Sequence, residues 1–419
     1  MSSSTTSWAC LLLPVCLLAV PVTSVAQTSW SHHELSLADV IGLAAERRDE
    51  IQAARDRARA GEARPAIVSA LDDPMISPSL DHLPFGLGGA NVSVTVEQRF
   101  PLSGIRRHRR TAALADVDRL HAETRTTTLD VEAQAASAFL MLQERRRTAA
   151  LIQEQLTFAR DVVTAANARY ASGTAPQSDV LRAEVEVARL DAFARGLVGE
   201  VSGAEAMLNT TLAMEVARPV PPLASLPLAH PVPDWPTILT ALERRPELDA
   251  GRAGIARSDA DVQVMRDMFR PMMTIRTGPA SNMLMGRGWM AMAGVSVPIW
   301  RGKLRAGVAE AEAMRAMSQA ELRAMTRMVE GEAAVALRLL EAARDRRSAV
   351  ATDVLPRARM AIEPAVAGYT SGQLPLVSVI EAVQALWLVQ AELIAGETEL
   401  GLAWARLGRA MGSFEGMPR

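Results

Sequence analysis

One short segment occurs twice in this chain and constrains its fold more than any other feature. Residues 169–176 read RYASGTAP and residues 368–375 read GYTSGQLP, so that Tyr, Ser, Gly and Pro recur 199 positions apart. In both copies a helix-forming run ends before the glycine and another begins after the proline. Glycine is favoured where a helix ends in a left-handed turn, and proline is favoured in the first turn of the next helix. Each copy therefore predicts the tip of a helical hairpin.

Other matches at a similar spacing indicate that a larger unit is duplicated. They keep one order along the chain at offsets of 197 or 198, and such agreement points to duplication rather than chance. The sequence therefore predicts two copies of a unit of about 190 residues. The matched segments are 45–51 with 242–248, 73–75 with 270–272, 100–102 with 297–299, and Gly104 with Gly302.

Each copy is predicted to contain two strands between helices. Val92, Val94 and Val96 alternate with polar residues, which is typical of a strand with one apolar face. The stretch 102–171 lacks proline and keeps a helical periodicity throughout. The predicted helices are 37–71, capped by Ser36, then 102–171, 177–214, 237–269, a long helix ending near 367 and a last helix ending near 411; the predicted strands are 75–82, 91–100, 271–278 and 289–299.

The helix lengths predict a rod. At about 1.5 Å per residue, the helix 102–171 is about 100 Å long, and the helices before the strands and after the tips are each about 50 Å long. Two short helices stacked end to end therefore match one long helix. This arrangement places the strands at one end of the rod and the tips at the other.

The strands, and not the helices, are the predicted membrane segments. The mature chain has no uninterrupted apolar run of about 18 residues, which a spanning helix requires. Strands of about 9–11 residues with one apolar face suit a transmembrane β-barrel. Since about eight strands are the minimum for a barrel, four strands predict that several chains share one. Phe100, Trp289 and Trp300 lie at strand ends, where interfacial aromatic side chains belong.

The overall composition agrees with a helical rod. Hydrophobic residues make up 49% of the chain and aromatic residues only 4%, which favours long, closely packed helices over a bulky globular core. The net charge of −2 gives no indication of nucleic acid binding.

The first 26 residues are predicted to be a secretory signal peptide, and an ordinary apolar terminus is the alternative interpretation. Their apolar run is too short and too proline-rich to span a membrane, and Ser24 and Ala26 suit a signal-peptidase site. Both cysteines, Cys10 and Cys16, would leave with this segment, and a mature chain without cysteine suits the periplasm. The bulky Val15 disfavours lipidation at Cys16. The remaining chain is predicted to consist of repeat 35–218, a proline-rich linker 219–236, repeat 237–411 and a tail 412–419.

Together, these motifs resemble the TolC family of outer-membrane factors, and in particular its heavy-metal-efflux branch. The motifs are the doubled Tyr-x-x-Gly tip, the Asp-Val-Leu at 179–181, PLSG at 101–104 and PIWRG at 298–302. The resemblance implies an α+β membrane protein, mostly α-helical, in which three chains each give four strands to one twelve-stranded barrel in the outer membrane. A long α-helical barrel would continue it in the periplasm. The implied partners are two further copies of the chain, outer-membrane lipid, a periplasmic adaptor protein and a proton-driven inner-membrane pump of RND type.

The resemblance also implies roles for residues at the tips. Tyr369 lies where the family has a gating tyrosine, Asp179 matches an aspartate after the first tip, and Glu381 lies where an aspartate often lines the aperture. An ordinary capped helix end or solvated face is the alternative interpretation of these residues. The implied adaptor-docking residues are Ser172, Gly173, Thr174, Ser371, Gly372 and Gln373.

Three positions depart from the family pattern. Ser378 and Leu374 replace an acidic residue and an arginine of the family's gate, which weakens the expected polar network. Pro364 lies inside the long helix before the second tip and should kink it.

The sequence contains no recognisable catalytic or cofactor motif. The glycine-rich segment 86–89 lies between two predicted strands with no helix after it, so we interpret it as a loop and not as a nucleotide site. His32, His33 and Glu34 are either metal ligands or, in the interpretation we favour, a polar chain end. The sequence therefore predicts a conducting protein that is not an enzyme and carries no cofactor.

Methionine is abundant, with 20 in the chain, and several cluster around the second pair of strands. By the repeat offset, Met290 and Met292 take the positions of Ser93 and Thr95, which alternate with the valines. If the valine face contacts lipid, the two methionines face the lumen, where thioethers would contact soft ions such as Cu(I) or Ag(I) transiently. Flexible space-filling is the alternative role of these methionines.

The leading hypothesis is an outer-membrane exit duct that passively conducts cargo from the periplasm to the outside as part of a tripartite efflux system. Heavy-metal ions such as copper or silver are the expected cargo, and drugs or polypeptides are alternatives within the same class. From another class, the alternative is a soluble periplasmic coiled-coil scaffold without a pore.

Overall fold

The computed structural model describes residues 34–81, 91–226, 230–282 and 286–414 of the 419-residue chain. The predicted signal peptide 1–26, the glycine-rich segment 86–89, and His32 and His33 lie outside the described residues.

Long helices and one small sheet make up the described chain. The first half contains α1 (Leu37–Arg47), α2 (Asp49–Ser69), β1 (Met75–Asp81), β2 (Asn91–Pro101), α3 (Ile105–Ala171) and α4 (Gln177–Thr211). The second half contains α5 (Trp235–Leu242), α6 (Pro246–Asp267), β3 (Met272–Asn282), β4 (Gly286–Ser296), α7 (Arg301–Ala349), a π-helical turn (Val350–Val354), α8 (Leu355–Met360), α9 (Ile362–Thr370) and α10 (Leu376–Met411).

The four strands form one antiparallel sheet in the order β1-β2-β3-β4, so that one strand from each half pairs at its centre. β3 continues through Gly278 and Pro279, past its predicted end. Gly278 lies so close to β2 that a Cβ there would be 2.0 Å from the carbonyl oxygen of Val94. The glycine therefore allows the strands to pair at this point, whereas the sequence pattern predicted that it ends the strand.

The sheet has one apolar and one polar face. On the apolar face, Val96 of β2 pairs with Ile76 of β1. On the polar face, Arg276 of β3 pairs with Glu97 of β2 on one side and with Met292 of β4 on the other. Cross-strand partners share a face, and successive residues of a strand alternate between faces. The apolar face carries Ile76, Leu80, Val92, Val94, Val96, Ile275, Trp289 and Val295, all of which are exposed in the single chain.

The helices form a rod along α3, whose 67 residues extend about 100 Å. α2 and α4 both pack along α3, and α6 and α10 both pack along α7. Strands precede α3 and α7, while the hairpin tips follow α3 and α9. The sheet and the tips therefore lie at opposite ends of the rod, as predicted.

The helix that precedes each pair of strands is broken, which corrects the prediction of two continuous helices. Arg48 separates α1 from α2, and Arg245 lies just before α6; both have extended backbones, with ψ of 126° and 134°. The two arginines occupy equivalent positions in the repeats, and Pro246 disfavours a helical conformation of the residue before it. Each arginine forms an ion pair with the glutamate two positions later in the sequence: Arg48 with Glu50 at 2.6 Å, and Arg245 with Glu247 at 2.7 Å. The matched ERR segments therefore mark a bend.

The long helix before the second tip is interrupted twice, each time just before a proline. The turn Val350–Val354 precedes Pro356, and Ala361 lies outside the helices just before Pro364. A proline lacks an N–H and leaves the carbonyl four residues earlier without its helical partner. The kink predicted from Pro364 is thus present at Ala361, whereas the π-helical turn beside Pro356 is an addition that the pattern did not predict.

α10 is long and apolar enough, by length and composition alone, to cross a membrane. Its most apolar window has a mean hydropathy of 1.5, and 22% of that window is buried within the described chain. The criterion of an uninterrupted apolar run does not select it, because Glu381 and Glu392 interrupt the run. A core helix has the same composition, and Leu400, Trp404 and Leu407 of α10 are buried in the largest hydrophobic core.

Candidate functional site at the hairpin tips

The two tips have the same backbone. Gly173 and Gly372 have φ angles of +73° and +78°, in the left-handed region that glycine adopts without strain. The glycine N–H donates to the carbonyl three residues back, which is Tyr170 at 2.9 Å in one tip and Tyr369 at 3.0 Å in the other. The N–H of the next residue donates to the carbonyl five residues back, at 2.9 and 2.8 Å. These bonds form the Schellman motif that ends a helix, so both predicted tips are confirmed.

The predicted docking residues form the outermost turn of each tip, and all are exposed. The hydroxyls of Ser172 and Thr174 donate to the carbonyl of Arg169 at 2.9 and 3.1 Å. In the second tip, the hydroxyl of Ser371 donates to the carbonyl of Gly368 at 3.1 Å. These bonds satisfy carbonyls at the helix ends and hold both turns in place. The docking set is Ser172, Gly173, Thr174, Ser371, Gly372 and Gln373.

Arg169 joins the two tips. Its guanidinium donates to the carbonyl of Tyr369 and, through its other terminal nitrogen, to the carbonyl of Thr174 at 3.3 Å. The guanidinium carbon lies 4.3 Å from the centre of the Tyr369 ring, which is a cation–π geometry. Arg169 belongs to the first tip and Tyr369 to the second, so one side chain connects the two hairpins.

Of the two tip tyrosines, Tyr170 and Tyr369, only the second is buried. It is 5% exposed, whereas Tyr170 at the equivalent position is 48% exposed. Its hydroxyl is buried and has no hydrogen-bond partner among the described residues. Burial raises the pKa of Tyr369, while Arg169 opposes this rise and Asp179 adds to it. Asp179 and Tyr369, two of the predicted gate residues, therefore lie close enough to interact electrostatically.

Glu381, the third predicted gate residue, is exposed on α10. Leu374, which replaces the arginine of the family pattern, packs against Gly368, where a Cβ would be 2.6 Å from the leucine Cδ1. The cation of the tip cluster is therefore Arg169 of the first tip and does not come from position 374.

Sequence reasoning missed Arg169 as a functional residue. The signal that could have identified it is a difference between the copies, because the residue before the tip tyrosine is Arg169 in one and Gly368 in the other. Arg169 is long enough to reach from the first tip to Tyr369 of the second, whereas Gly368 at the equivalent position has no side chain.

An apolar core holds the two hairpins together just below the tips. Phe158 of α3 and Trp387 of α10 meet edge to face beside it, with ring centres 6.4 Å apart. Gln384 donates to Glu186 of α4 at 3.1 Å. The second tip therefore cannot move away from the first without breaking these contacts. The core consists of Ala166, Val180, Ala183, Ala365, Tyr369, Leu376, Val379 and Val383.

Met290 and Met292 lie on the polar face of the sheet, at the other end of the molecule. Met290 pairs with Gly278 and Met292 with Arg276, whose Nε donates to Glu97 at 3.0 Å. Met292 is 49% exposed. Over the ranges described by the structure, no three His, Cys, Asp or Glu side chains converge as a metal site. The thioethers thus share their face with an ion pair, on the side opposite to the valines.

The architecture defines a class of elongated, mostly helical proteins, in which two duplicated hairpins carry a small antiparallel sheet at one end. The sequence model of the outer membrane efflux protein family matches residues 40–210 and 237–413. The chain therefore belongs to the outer membrane efflux protein family.

Several solved structures share the fold at low sequence identity. CusC, whose crystal structures concern folding and transmembrane channel formation, has a TM-score of 0.80 and 16% identity over 90% of this chain and 92% of that chain. A membrane protein from Pseudomonas aeruginosa has a TM-score of 0.78 and 20% identity over 90% and 93%. The outer membrane protein VceC from Vibrio cholerae has a TM-score of 0.76 and 17% identity over 90% of this chain and 97% of that chain. Sequence comparison with curated proteins gives no significant match. The resemblance is thereby confirmed at the level of family and fold.

Proposed function

We propose that the chain is one subunit of a homotrimeric exit duct in the outer membrane, through which a tripartite efflux system passes cargo from the periplasm to the outside. The observation that carries this proposal is the exposed apolar face of the sheet. Val92, Val94 and Val96 are exposed by 47%, 43% and 42% in the single chain. Such a face is favourable against lipid and unfavourable in water. The sheet would span the membrane, and the hairpins would extend into the periplasm.

The edges of the sheet support a barrel that several chains share. β1 and β4 are the edge strands of the sheet in the described chain. An open edge leaves N–H and carbonyl groups unpaired, and lipid cannot satisfy them. Three copies would join β1 of one chain to β4 of the next and close a barrel of twelve strands, above the minimum of about eight.

The tips would form the periplasmic gate and the adaptor-docking site. Arg169 and the apolar core hold the second tip against the first, so the packed arrangement suits a closed state. Asp179, Tyr369 and Glu381 would act as gate residues, and Glu381, being exposed, would face the aperture. An adaptor bound to the exposed outer turns would connect the duct to a proton-driven RND-type pump in the inner membrane.

Charged substitutions on the two sheet faces test the membrane proposal against a soluble periplasmic scaffold. Val94→Arg places a cation on the apolar face, at a cost of about 2–4 kcal/mol in the middle of a bilayer. Ser93→Arg, one residue away on the polar face, is the matched control. We expect the wild type and the control to require detergent for extraction and to form trimers, and the valine variant to be depleted from the outer membrane. Release of the wild type by salt alone would exclude a barrel.

Soft metal ions are the proposed cargo, and Met290 and Met292 are the residues that support this part of the proposal. If the valines contact lipid, both thioethers face the lumen, and thioethers suit Cu(I) and Ag(I). The charge of Arg276 beside Met292 is paired with Glu97, which reduces its repulsion of cations there. Drugs and polypeptides remain the alternative cargo within the same class.

Growth of a deletion strain on metals and drugs tests the cargo. We expect sensitivity to copper or silver that the wild-type protein reverses and that Met290→Ser/Met292→Thr reverses poorly. Met314→Leu/Met317→Leu, which changes two methionines of α7 with little change in volume, is the control and should rescue fully. Sensitivity to drugs alone would support the duct and remove the metal assignment, while full rescue by the first variant would remove the role of Met290 and Met292.

A further inference from the structure

Two clusters of basic residues lie where the strands meet the helices. Residues 99–110 contain five arginines and no acidic residue, and residues 299–309 contain two arginines, one lysine and no acidic residue. The first cluster spans the end of β2 and the start of α3, and the second follows β4 and opens α7. Both therefore lie at the end of the sheet that faces the rod. The residues are Arg99, Arg106, Arg107, Arg109, Arg110, Arg301, Lys303 and Arg305.

Over the described residues, ion pairs are rarer in these clusters than on the helices beyond them. On the helices, arginines commonly meet a carboxylate, as Arg315 meets Asp259 at 2.6 Å. Within the described part of the chain, Arg99 is the one member of the clusters with an acidic oxygen within 4 Å, namely Glu97 at 3.5 Å. Cations are also unfavourable at a helix N-terminus, where these clusters lie. Among the residues that the structure describes, most of this positive charge therefore has no direct ion pair.

Exposed apolar side chains come directly before both clusters. Val297, Ile299 and Trp300 are 64%, 68% and 75% exposed, and Leu102 is 48% exposed. Apolar and aromatic side chains followed by Arg and Lys are typical of the passage from the hydrocarbon of a membrane to its headgroups. The clusters thus continue the apolar face of the sheet toward the periplasm.

We propose that a basic belt, formed by Arg106, Arg107, Arg109, Arg110, Arg301, Lys303 and Arg305, binds anionic phospholipid headgroups in the periplasmic leaflet of the outer membrane. The proposal rests on the proposed function, because it requires the sheet to span that membrane. One arginine can donate two parallel hydrogen bonds to two oxygens of a phosphate, and lysine contacts a phosphate as a point charge. Each basic residue near an anionic surface gives roughly a fivefold preference for it. Bound headgroups would supply the missing charge compensation and fix the depth of the barrel.

Tryptophan quenching by brominated lipids tests this proposal on the full-length trimer in vesicles. Trp300 precedes the second cluster directly, so the difference in fluorescence between the wild type and Trp300→Phe reports on lipid beside the belt. The vesicles contain phosphatidylcholine and phosphatidylglycerol, with either one brominated. We expect brominated phosphatidylglycerol to quench Trp300 more strongly at equal mole fraction, and added salt to reduce the difference.

A matched pair of variants completes the experiment. Arg107→Gln/Lys303→Gln is expected to lower the preference for phosphatidylglycerol by at least the fivefold of one residue. Arg323→Gln/Arg327→Gln removes the same charge about 30 Å further along α7 and should not change the preference. Equal quenching by both lipids in the wild type, or an unchanged preference in the first variant, would overturn the proposal. Arg107→Gln/Lys303→Gln could also change the ion selectivity of the duct while leaving the ratio of quenching by the two lipids unchanged. That result would place the belt charges in the lumen and would contradict lipid binding as well. Quenching of Trp300 by neither lipid would instead refute membrane insertion and with it the proposed function.

Discussion

The two hairpin tips show how one duplicated backbone can carry two different sets of side chains. Gly173 and Gly372 have nearly the same φ, and the same pair of hydrogen bonds ends the helix in both tips. The tyrosines differ, since Tyr170 is about half exposed and Tyr369 is buried beneath Arg169. The comparison teaches that glycine and the helix end determine the turn, whereas the residues that changed after duplication determine what the turn contacts.

Truncation of the two tyrosines should have the largest and most unequal effect. Tyr369→Ala removes a buried ring and is expected to cost about 3 kcal/mol of local stability, as other buried aromatic residues do. Tyr170→Ala removes a half-exposed ring and should cost less than about 0.5 kcal/mol. Hydrogen exchange at the end of α3 measures the effect of Tyr170→Ala, and exchange at α9 measures that of Tyr369→Ala. Equal protection in the two variants would contradict the difference in burial on which the comparison rests.

Removal of Arg169 should have the next largest effect, because it breaks the contact between the tips. Arg169→Ala loses a charged hydrogen bond and a cation–π contact, together about 2 kcal/mol, which corresponds to roughly a thirtyfold shift toward separated tips. We expect a higher resting conductance in planar bilayers and leakage of large antibiotics into cells. Arg169→Lys keeps the charge without the planar guanidinium and should be intermediate.

Arg182→Ala is the control for this variant, since it removes an arginine from α4 near the same tip. Unchanged conductance in Arg169→Ala would show that the apolar core alone keeps the tips together.

Substitution of the two glycines should have smaller and nearly equal effects on stability. Val at a left-handed φ costs about 1–2 kcal/mol, and Gly173 and Gly372 have the same conformation. We expect Gly173→Val and Gly372→Val each to leave the trimer intact and to abolish export, because both alter the proposed docking surface. Cross-linking measures assembly, and cargo resistance measures export. Normal export by both variants would argue against docking at the tips, and a large difference in stability between them would contradict the shared backbone.

The elements that sequence reasoning predicted correctly are those that depend on local chemistry. Gly173 and Gly372 each end a helix, and three residues later Pro176 and Pro375 directly precede the next helix. The alternation around Val94 predicted a strand with one apolar face in the same way. Such signals need no knowledge of the rest of the fold, because they follow from dihedral angles and side-chain direction alone.

Two of the features that were missed depend on contacts between distant parts of the chain, whereas the breaks before Pro246 and Pro356 follow local proline signals that the pattern overlooked. β3 continues past Gly278 because the carbonyl of Val94 approaches it, and a local rule reads the same glycine as a break. Arg169 contacts Tyr369 across 200 positions, so its role is visible only once the hairpins are packed together. The resemblance to a family predicted a gate role for Tyr369 and Asp179, but it could not predict that Arg169, and not position 374, supplies the cation beside them.

Ionisation of Tyr369 is the smallest expected effect and the most direct measure of the difference between the tips. Its pKa is raised, chiefly by burial, above the usual value of about 10. The neutral phenol is thus favoured in the folded tip, so this contribution to stability is complete below pH 10 or so and is lost as the pH rises through the folded value. The chain has two tyrosines, so the difference between the tyrosinate absorbance of the wild type and of Tyr369→Phe isolates this one.

The same titration in an Arg169→Ala background shows whether the arginine keeps the tip closed. Arg169 itself lowers the pKa of Tyr369, so its loss from a tip that stays packed would raise that pKa further. If Arg169 holds the tips together, its loss instead exposes the ring, and the pKa of Tyr369 should fall toward the ordinary value for tyrosine. A further rise would mean that burial of Tyr369 depends on the apolar core alone, and the contrast between the tips would then lie in packing and not in Arg169.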